Sequence, residues 1–203
     1  MISVIDCGLG NINSVIRMIN RVGGHAKSIS QPQELLKSEK LILPGVGHFD
    51  SGMKRLRENN LDEALIEKIS NGNVPLLGIC LGMQLLCRTS EEGEIPGLGL
   101  IDADVRRFSF PENNNLKIPH MGWNEIEISR KNPLFEISSS KHRFYFVHSF
   151  YVSPESNDIN IAYANHGFDF CAAFQNEQIF GVQFHPEKSH AFGMKLMQKF
   201  ISL

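Results

Sequence analysis

The amino-acid sequence predicts an α/β protein with a mixed, mainly parallel central sheet. In the first half, short apolar runs of buried-strand type alternate with helical patterns, which favours parallel strands covered by helices. From about Leu98 onward, short β-like runs separated by glycine and asparagine replace this alternation. The 203 residues, 42% of them hydrophobic and 21% charged, suffice for one sizeable core, so we expect a single domain over residues 1–203.

The first half contains four predicted strands, at residues 2–5, 25–30, 40–43 and 74–77. The segments between them carry apolar residues at helical spacing. They predict a helix that begins near Ile12 and stops at Gly23-Gly24, a short helix from Pro32, and a longer helical stretch through Met53 that reaches Asn71. A further helix is expected from Met83 into Arg88, directly after the fourth strand.

The second half reads differently. The clearest strands are residues 143–152, 159–164 and 179–184, which are rich in aromatic and β-branched residues. A closing helix is predicted over residues 189–200, and residues 111–115 are expected to form an exposed loop. No repeat, linker or low-complexity tract interrupts the chain.

Charge and composition exclude several classes of function. The net charge of −2 gives no basic face for a nucleic acid. The start of the chain lacks the basic region of a signal peptide, and no apolar run is long enough to span a membrane. Four cysteines without a paired framework indicate free thiols in a reducing cytoplasm.

Gly78-Ile79-Cys80-Leu81-Gly82 has the pattern of a nucleophile elbow with cysteine in place of serine. Only residues without a Cβ let a strand turn so sharply into a helix beside Cys80. The turn also places the sulfur at a helix N-terminus, which favours the thiolate. The alternative interpretation is a buried structural cysteine.

A cysteine nucleophile needs a base and a group that orients the base. His185 follows an apolar strand, and Glu187 comes two residues later. In an extended chain these side chains point the same way, so Glu187 can lie beside His185. A solvated loop histidine is the alternative. A metal site from His185, Glu187 and His190 is rejected, because no metal-binding spacing accompanies them.

The same chemistry needs N–H groups that stabilise an oxyanion. One is expected from the peptide of Leu81, directly after the nucleophile. Another is expected from Pro44-Gly45-Val46-Gly47, which ends the preceding strand and whose glycines allow a peptide to flip. A plain turn is the alternative interpretation of this loop.

Two of these segments, residues 78–84 and 184–187, resemble the strongest signatures of the class I (triad) glutamine amidotransferases. That resemblance implies a flavodoxin-like, three-layer fold. More narrowly, the chain is similar from end to end to the glutaminase subunits of imidazole glycerol phosphate synthase, an enzyme of histidine biosynthesis. Residues 44–47, 119–124, 146–150 and 185–189 carry this second resemblance.

The resemblance implies a role for each matching residue. Cys80 would be the nucleophile, His185 the base and Glu187 its orienter. The oxyanion would be held by Val46, Gly47 and Leu81, and glutamine by Gly45, Gln84, His148, Ser149 and Phe150. A separate (β/α)₈-barrel cyclase would receive the ammonia and form a heterodimer through Asn11, Asn13, Pro119, Met121, Trp123, Asn124 and Lys188. No cofactor or metal is implied. Cys7 departs from the family, which more often has an aromatic residue there.

Three alternatives stay open at this stage. A paralogous glutaminase could supply ammonia to a sugar amidotransferase in surface-polysaccharide synthesis, because the acceptor site lies in the partner. A non-catalytic scaffold could retain the fold, although the intact Cys80, His185 and Glu187 argue against it. Trp123, the only tryptophan, could belong to the core rather than to a docking surface.

Overall fold

A computed structural model describes residues 1–72, 74–111, 115–136 and 142–203. In the first half, the strands are β1 (Ile2–Ile5), β2 (Ala26–Ile29), β3 (Leu41–Gly45) and β4 (Leu76–Cys80). The later strands are β5 (Thr89–Ser90), β6 (Ala103–Arg107), β7 (His120–Ile128), β8 (His142–His148), β9 (Phe150–Pro154), β10 (Asn160–Asn165), β11 (Asp169–Asn176) and β12 (Ile179–Val182).

The helices are α1 (Ile12–Arg21), α2 (Pro32–Leu36), α3 (Phe49–Glu58), α4 (Leu61–Asn71), α5 (Leu81–Leu85) and α6 (His190–Ile201). Two short 3₁₀ turns cover Asn157–Ile159 and Pro186–Lys188. Within the described ranges, no helix has the length and apolar character that crossing a membrane requires.

Five neighbouring strands, in the order β2-β1-β3-β4-β12, pair in parallel. The apolar runs of β1, β3, β4 and β12 are buried along their whole length, as expected for strands covered on both faces. The pairing of β4 with β12 aligns Ile79 with Val182, and the pairing of β4 with β3 aligns Cys80 with Gly45. The carboxyl ends of these three strands therefore meet around Cys80.

The sheet continues from β12 through β11, β10, β7 and β8 with antiparallel pairing, and β5, β6 and β9 branch from β11. Residues of β7 and β8 face one another in a long ribbon, in which His120 lies opposite His148. The structure confirms the α/β class and the mixed sheet.

Alternate residues of the central strands enter two buried clusters. Ile42 and Leu77 pack with apolar residues of α1 and α6, whereas Leu41, Leu43 and Leu76 pack with residues of α3, α4 and α5. The sheet thus lies between two layers of helices, as the sequence predicts.

Several predicted boundaries are wrong. The stretch through Met53 is two helices, because Asn60 takes a left-handed φ of 53° between α3 and α4. The segment 143–152 is two strands that separate at Ser149, and the helix after Cys80 ends at Leu85. The strands β5, β6, β7 and β11 are absent from the sequence prediction. Part of the predicted loop at 111–115 lies outside the described residues.

Candidate active site

Cys80 occupies a strained turn between β4 and α5, with φ of 53° and ψ of −111°. A Cβ built on Gly78 would lie 2.7 Å from the Cα atom of Met83, and one on Gly82 would overlap the carbonyl oxygen of Leu43. Glycine is therefore required on both sides of the cysteine for α5 to start directly against β3 and β4. Cys80 is 7% exposed, at the mouth of a pocket.

His185 Nδ1 lies 2.7 Å from Glu187 Oε1, and both side chains are buried. Their contact confirms the predicted proximity, but the predicted reason is wrong. Residues 186–188 form a 3₁₀ turn rather than an extended chain. Ser189 fixes this turn, because its hydroxyl donates to the carbonyl oxygen of His185 over 2.6 Å and accepts from the N–H of Tyr145 over 3.0 Å.

The electrostatics of this pair favour a protonated His185. Burial lowers the pKa of His185, but hydrogen bonding to Cys80 and Glu187 and the charges of both groups outweigh burial and raise that pKa to about 10. The Nε2 atom of His185 is buried and makes no hydrogen bond of standard geometry. This nitrogen is therefore available to a group that enters beside Cys80.

Gln183 was missed by the sequence analysis. It is fully buried, its Nε2 donates to Cys80 Sγ over 3.8 Å, and its Oε1 accepts from Gln84 Nε2 over 3.1 Å. Gln84 Nε2 also lies 3.1 Å from the carbonyl oxygen of Phe150. A signal existed, because Gln183 is the one polar residue in the apolar run before His185.

A cavity of about 210 Å³ opens above Cys80. Most of its walls come from the residues predicted to hold the oxyanion and the substrate, together with Val147 and Glu92. The lining residues are Val46, Gly47, Cys80, Leu81, Gln84, Glu92, Val147, His148, Ser149, Phe150 and His185. The structure therefore brings the predicted triad, oxyanion and substrate residues to one place, apart from Gly45 and Glu187, which lie just behind the wall.

Glu92 is the second residue that the sequence analysis missed, because it sits in a Glu-rich surface segment that reads as a solvated charge run. Its Oε2 accepts from the N–H of Phe49 at the start of α3, over 2.8 Å. This bond ties the loop after β3 to the opposite wall and places a carboxylate in the pocket.

The loop after β3 is closely supported from below. A Cβ on Gly45 would lie 3.1 Å from the backbone N of Gly82, and a Cβ on Gly10 would lie 3.4 Å from the Cα of Gly45. Gly47 has a φ of 113°, which favours glycine, and Val46 is 42% exposed. The backbone at 45–47 thus runs directly alongside the cysteine elbow.

The residues predicted to contact a partner lie mostly on the surface. Met121 is 62% exposed and Trp123 42% exposed, so core packing of Trp123 is excluded. The Trp123 ring stacks on His190 with ring centroids 5.6 Å apart, and Lys188 Nζ lies 5.7 Å from the Tyr145 ring centroid. This aromatic surface adjoins the turn that carries Glu187.

Three other predicted partner residues, Asn11, Asn13 and Pro119, are also exposed. Asn11 has a second use, because its side chain accepts from the N–H of Ser14 and caps α1. Asn124 differs from the others, since it is half-buried and donates to His120 and to the carbonyl oxygen of Asn165. Among the described residues, no group of three or more His, Cys, Asp or Glu side chains could hold a metal ion.

A family model described as "Glutamine amidotransferase class-I" matches residues 3–202. The chain belongs to this family. Family membership identifies a glutamine-hydrolysing enzyme. The amidotransferase is 46% identical over 203 residues to the imidazole glycerol phosphate synthase subunit HisH 2 of Pseudomonas aeruginosa, with 100% of both chains covered. It is 48% identical over 201 residues to the protein of the same name from Methanococcus maripaludis, covering 99% of this chain and 98% of that one.

Solved structures show the same fold. A putative GMP synthase component from Thermoplasma acidophilum superposes with a TM-score of 0.73 at 20% identity, covering 99% of this amidotransferase and 92% of that chain. The three-layer architecture predicted from the resemblance is therefore confirmed.

Proposed function

We propose that this amidotransferase is the glutaminase subunit of imidazole glycerol phosphate synthase, with Cys80, His185 and Glu187 as its catalytic triad. The observation that carries the triad is the buried His185–Glu187 pair beside the strained Cys80 turn. The pathway rests on relatives of 46% and 48% identity that bear that subunit's name.

In the proposed reaction, the Cys80 thiolate attacks the carbonyl carbon of the glutamine side-chain amide. The negative oxygen that forms accepts hydrogen bonds from peptide N–H groups of Leu81 and of the Val46–Gly47 loop. Protonated His185 donates its Nε2 proton to the departing nitrogen, so ammonia leaves and a thioester remains. Neutral His185 then takes a proton from water, which attacks the thioester and releases glutamate and the Cys80 thiolate.

The raised pKa of His185 supports this assignment, because it keeps the imidazolium available as proton donor at neutral pH. Glu187 orients the ring through Nδ1 and stabilises its charge. Glu92 provides a carboxylate in the pocket that suits the α-ammonium group of an amino-acid substrate.

Ammonia is mostly protonated in neutral water and then cannot act as a nucleophile, so direct transfer to a second active site is favoured. We assign the docking of a (β/α)₈-barrel cyclase to the exposed surface of Met121, Trp123 and Lys188, where aromatic anchors beside a cation suit an interface. The four cysteines are free, which supports a reducing, cytoplasmic location.

A second candidate acceptor is favoured by one observation. Both relatives named above carry the numeral 2, and others carry the numeral 1, which indicates organisms with more than one such protein. One of two copies could serve a sugar amidotransferase rather than a cyclase. A non-catalytic scaffold is disfavoured by the intact catalytic geometry.

Two measurements test the proposal. A glutamine-analogue electrophile should label Cys80 and block glutamate release, and labelling at another cysteine would contradict the nucleophile assignment. Copurification from the native host should yield the barrel cyclase. Transfer of ¹⁵N from the glutamine amide to the imidazole product supports the histidine pathway, whereas transfer to a sugar supports the alternative.

A further inference from the structure

Two buried histidines face one another across the ribbon of β7 and β8. His120 Nδ1 lies 2.9 Å from His148 Nε2, and each residue is 6% exposed. Their outer nitrogens are also engaged. His148 Nδ1 lies 2.7 Å from the carbonyl oxygen of Phe150, and His120 Nε2 lies 3.1 Å from Asn124 Nδ2.

Both rings are neutral at physiological pH. Burial lowers the pKa of His120 to about 4, and His166, which stacks on its ring, lowers it further. Burial lowers the pKa of His148 to about 3; the Phe150 carbonyl opposes this shift, while the charges of His120, His166 and His185 add to it. A neutral imidazole has one donor nitrogen and one acceptor nitrogen, so the tautomers can be assigned.

The assignment begins at the carbonyl oxygen of Phe150, which can only accept. His148 must therefore carry its proton on Nδ1, which leaves Nε2 as an acceptor. His120 must then donate from Nδ1, and its bare Nε2 accepts from the amide of Asn124. The second Asn124 hydrogen goes to the carbonyl oxygen of Asn165 over 2.8 Å. Every donor meets an acceptor in one direction only.

The chain of hydrogen bonds ends at the nucleophile. The Phe150 carbonyl receives His148 Nδ1 on one side and Gln84 Nε2 on the other. Gln84 contacts Gln183, and Gln183 donates to Cys80 Sγ. The wall segment 148–150 is held further by a bond from the Phe108 N–H to the Ser149 carbonyl oxygen, at 3.0 Å.

We propose that His120 is a positioning residue for glutamine hydrolysis. By donating to His148 it fixes the tautomer that holds the Phe150 carbonyl, and with it the pocket wall and the Gln84–Gln183–Cys80 chain. This inference rests on the proposed glutaminase function. It assigns no substrate contact to His120, which acts only through its neighbours.

Two substitutions at position 120 separate the donor from the ring. His120→Phe keeps an aromatic ring against Phe146 and His166 but leaves His148 Nε2 without a donor. His120→Asn loses the ring, but its amide nitrogen occupies the place of Nδ1 and can donate. We expect His120→Phe to lower kcat/KM for glutamine by about 10- to 100-fold, since a buried acceptor is left unpaired. His120→Asn should recover most of that loss.

The control is His166→Phe, which keeps the stacked ring and removes only a bond to the carbonyl oxygen of Lys117; it should match the wild type. All variants are measured as full chains, alone and with the copurified partner. Equal losses for His120→Phe and His120→Asn would overturn the proposal, because packing would then explain both. So would wild-type activity in His120→Phe. If His120→Phe does not fold, Asn124→Leu tests the outer end of the network, and an unchanged kcat/KM there contradicts it.

A spectroscopic measurement is independent of activity. Long-range ¹H–¹⁵N correlations in protein labelled with ¹⁵N-histidine distinguish the two neutral tautomers. We expect His120 and His148 to be protonated on Nδ1 at pH 7, and His148 to lose this uniform state in His120→Phe. An Nε2-protonated His148 in the wild type would refute the relay. Absence of glutamine hydrolysis with correct tautomers would instead refute the proposed function.

Discussion

His185 Nδ1 and Glu187 Oε1 are 2.7 Å apart because a 3₁₀ turn, fixed by Ser189, folds the carboxylate back onto the ring. Both partners are almost fully buried, so their interaction is little screened by solvent. The pair therefore determines both the orientation and the charge of the base, and the following predictions depend on it.

Cys80→Ala should abolish glutamine hydrolysis without unfolding the protein. Loss of a nucleophile from such a triad lowers the rate on the order of 10⁴-fold or more, and alanine removes only one buried sulfur. Glutamate release at saturating glutamine is the measurement. Cys87→Ala is the matched control, since Cys87 is also buried but lies outside the pocket, and it should retain activity. Substantial hydrolysis by Cys80→Ala would disprove the mechanism.

Glu187→Gln should be milder than His185→Ala. The carboxylate orients and stabilises the imidazolium but transfers no proton, so we expect its loss to cost roughly 10- to 100-fold less in kcat than loss of the histidine. Both variants are compared in the complex with partner. Equal or reversed losses would show that the two roles are wrongly assigned.

Glu187→Gln should also change the pH profile. The imidazolium donates the proton, and it is lost as pH rises through the His185 pKa of about 10. Removal of the Glu187 charge lowers that pKa, so the alkaline limb of kcat should move to lower pH. The profile is measured over the alkaline range with folding followed by circular dichroism. An unmoved limb would mean that another group titrates there.

Gly78→Ala should destabilise the protein. The added methyl group would lie 2.7 Å from Met83 Cα and 2.8 Å from Met83 N, both backbone atoms, and such overpacking typically costs about 1–3 kcal/mol. Urea unfolding measures the change. Gly72→Ala, at the exposed end of α4, is the control and should have a smaller effect. Equal effects would mean that contact with α5 does not require glycine at position 78.

Trp123→Ala should weaken partner association while leaving the free chain folded, because the ring is 42% exposed. An interface anchor of this kind typically contributes about 2 kcal/mol or more to binding. Isothermal titration with the partner measures it, and Ile66→Ala, an exposed apolar residue on α4, serves as control.

Docking is also expected to shift the Gly45-Val46-Gly47 loop towards its active state. Partner-stimulated hydrolysis should therefore fall in Trp123→Ala. A free chain as active as the complex would contradict gating of this loop by the partner.

The elbow could be predicted because its determinants are local. Gly78, Cys80 and Gly82 lie within one short segment of the chain, and steric crowding alone explains the two glycines. The break at Asn60 could not be predicted, since α3 and α4 both pack on the same cluster and the apolar pattern continues across them. Gln183 and His120 acquire their roles only from strand pairings that join distant segments, which no local pattern reveals.

The pairing of β4 with β12 also affects how the enzyme comes into being. Cys80 and Gln183 are 103 residues apart in the chain, so the nucleophile meets its base only after a long loop has closed, at an entropic cost that makes such contacts slow to form. During synthesis the cysteine emerges well before His185. A partly made chain therefore has a thiol but no base, and glutamine hydrolysis begins only when the final strand enters the sheet.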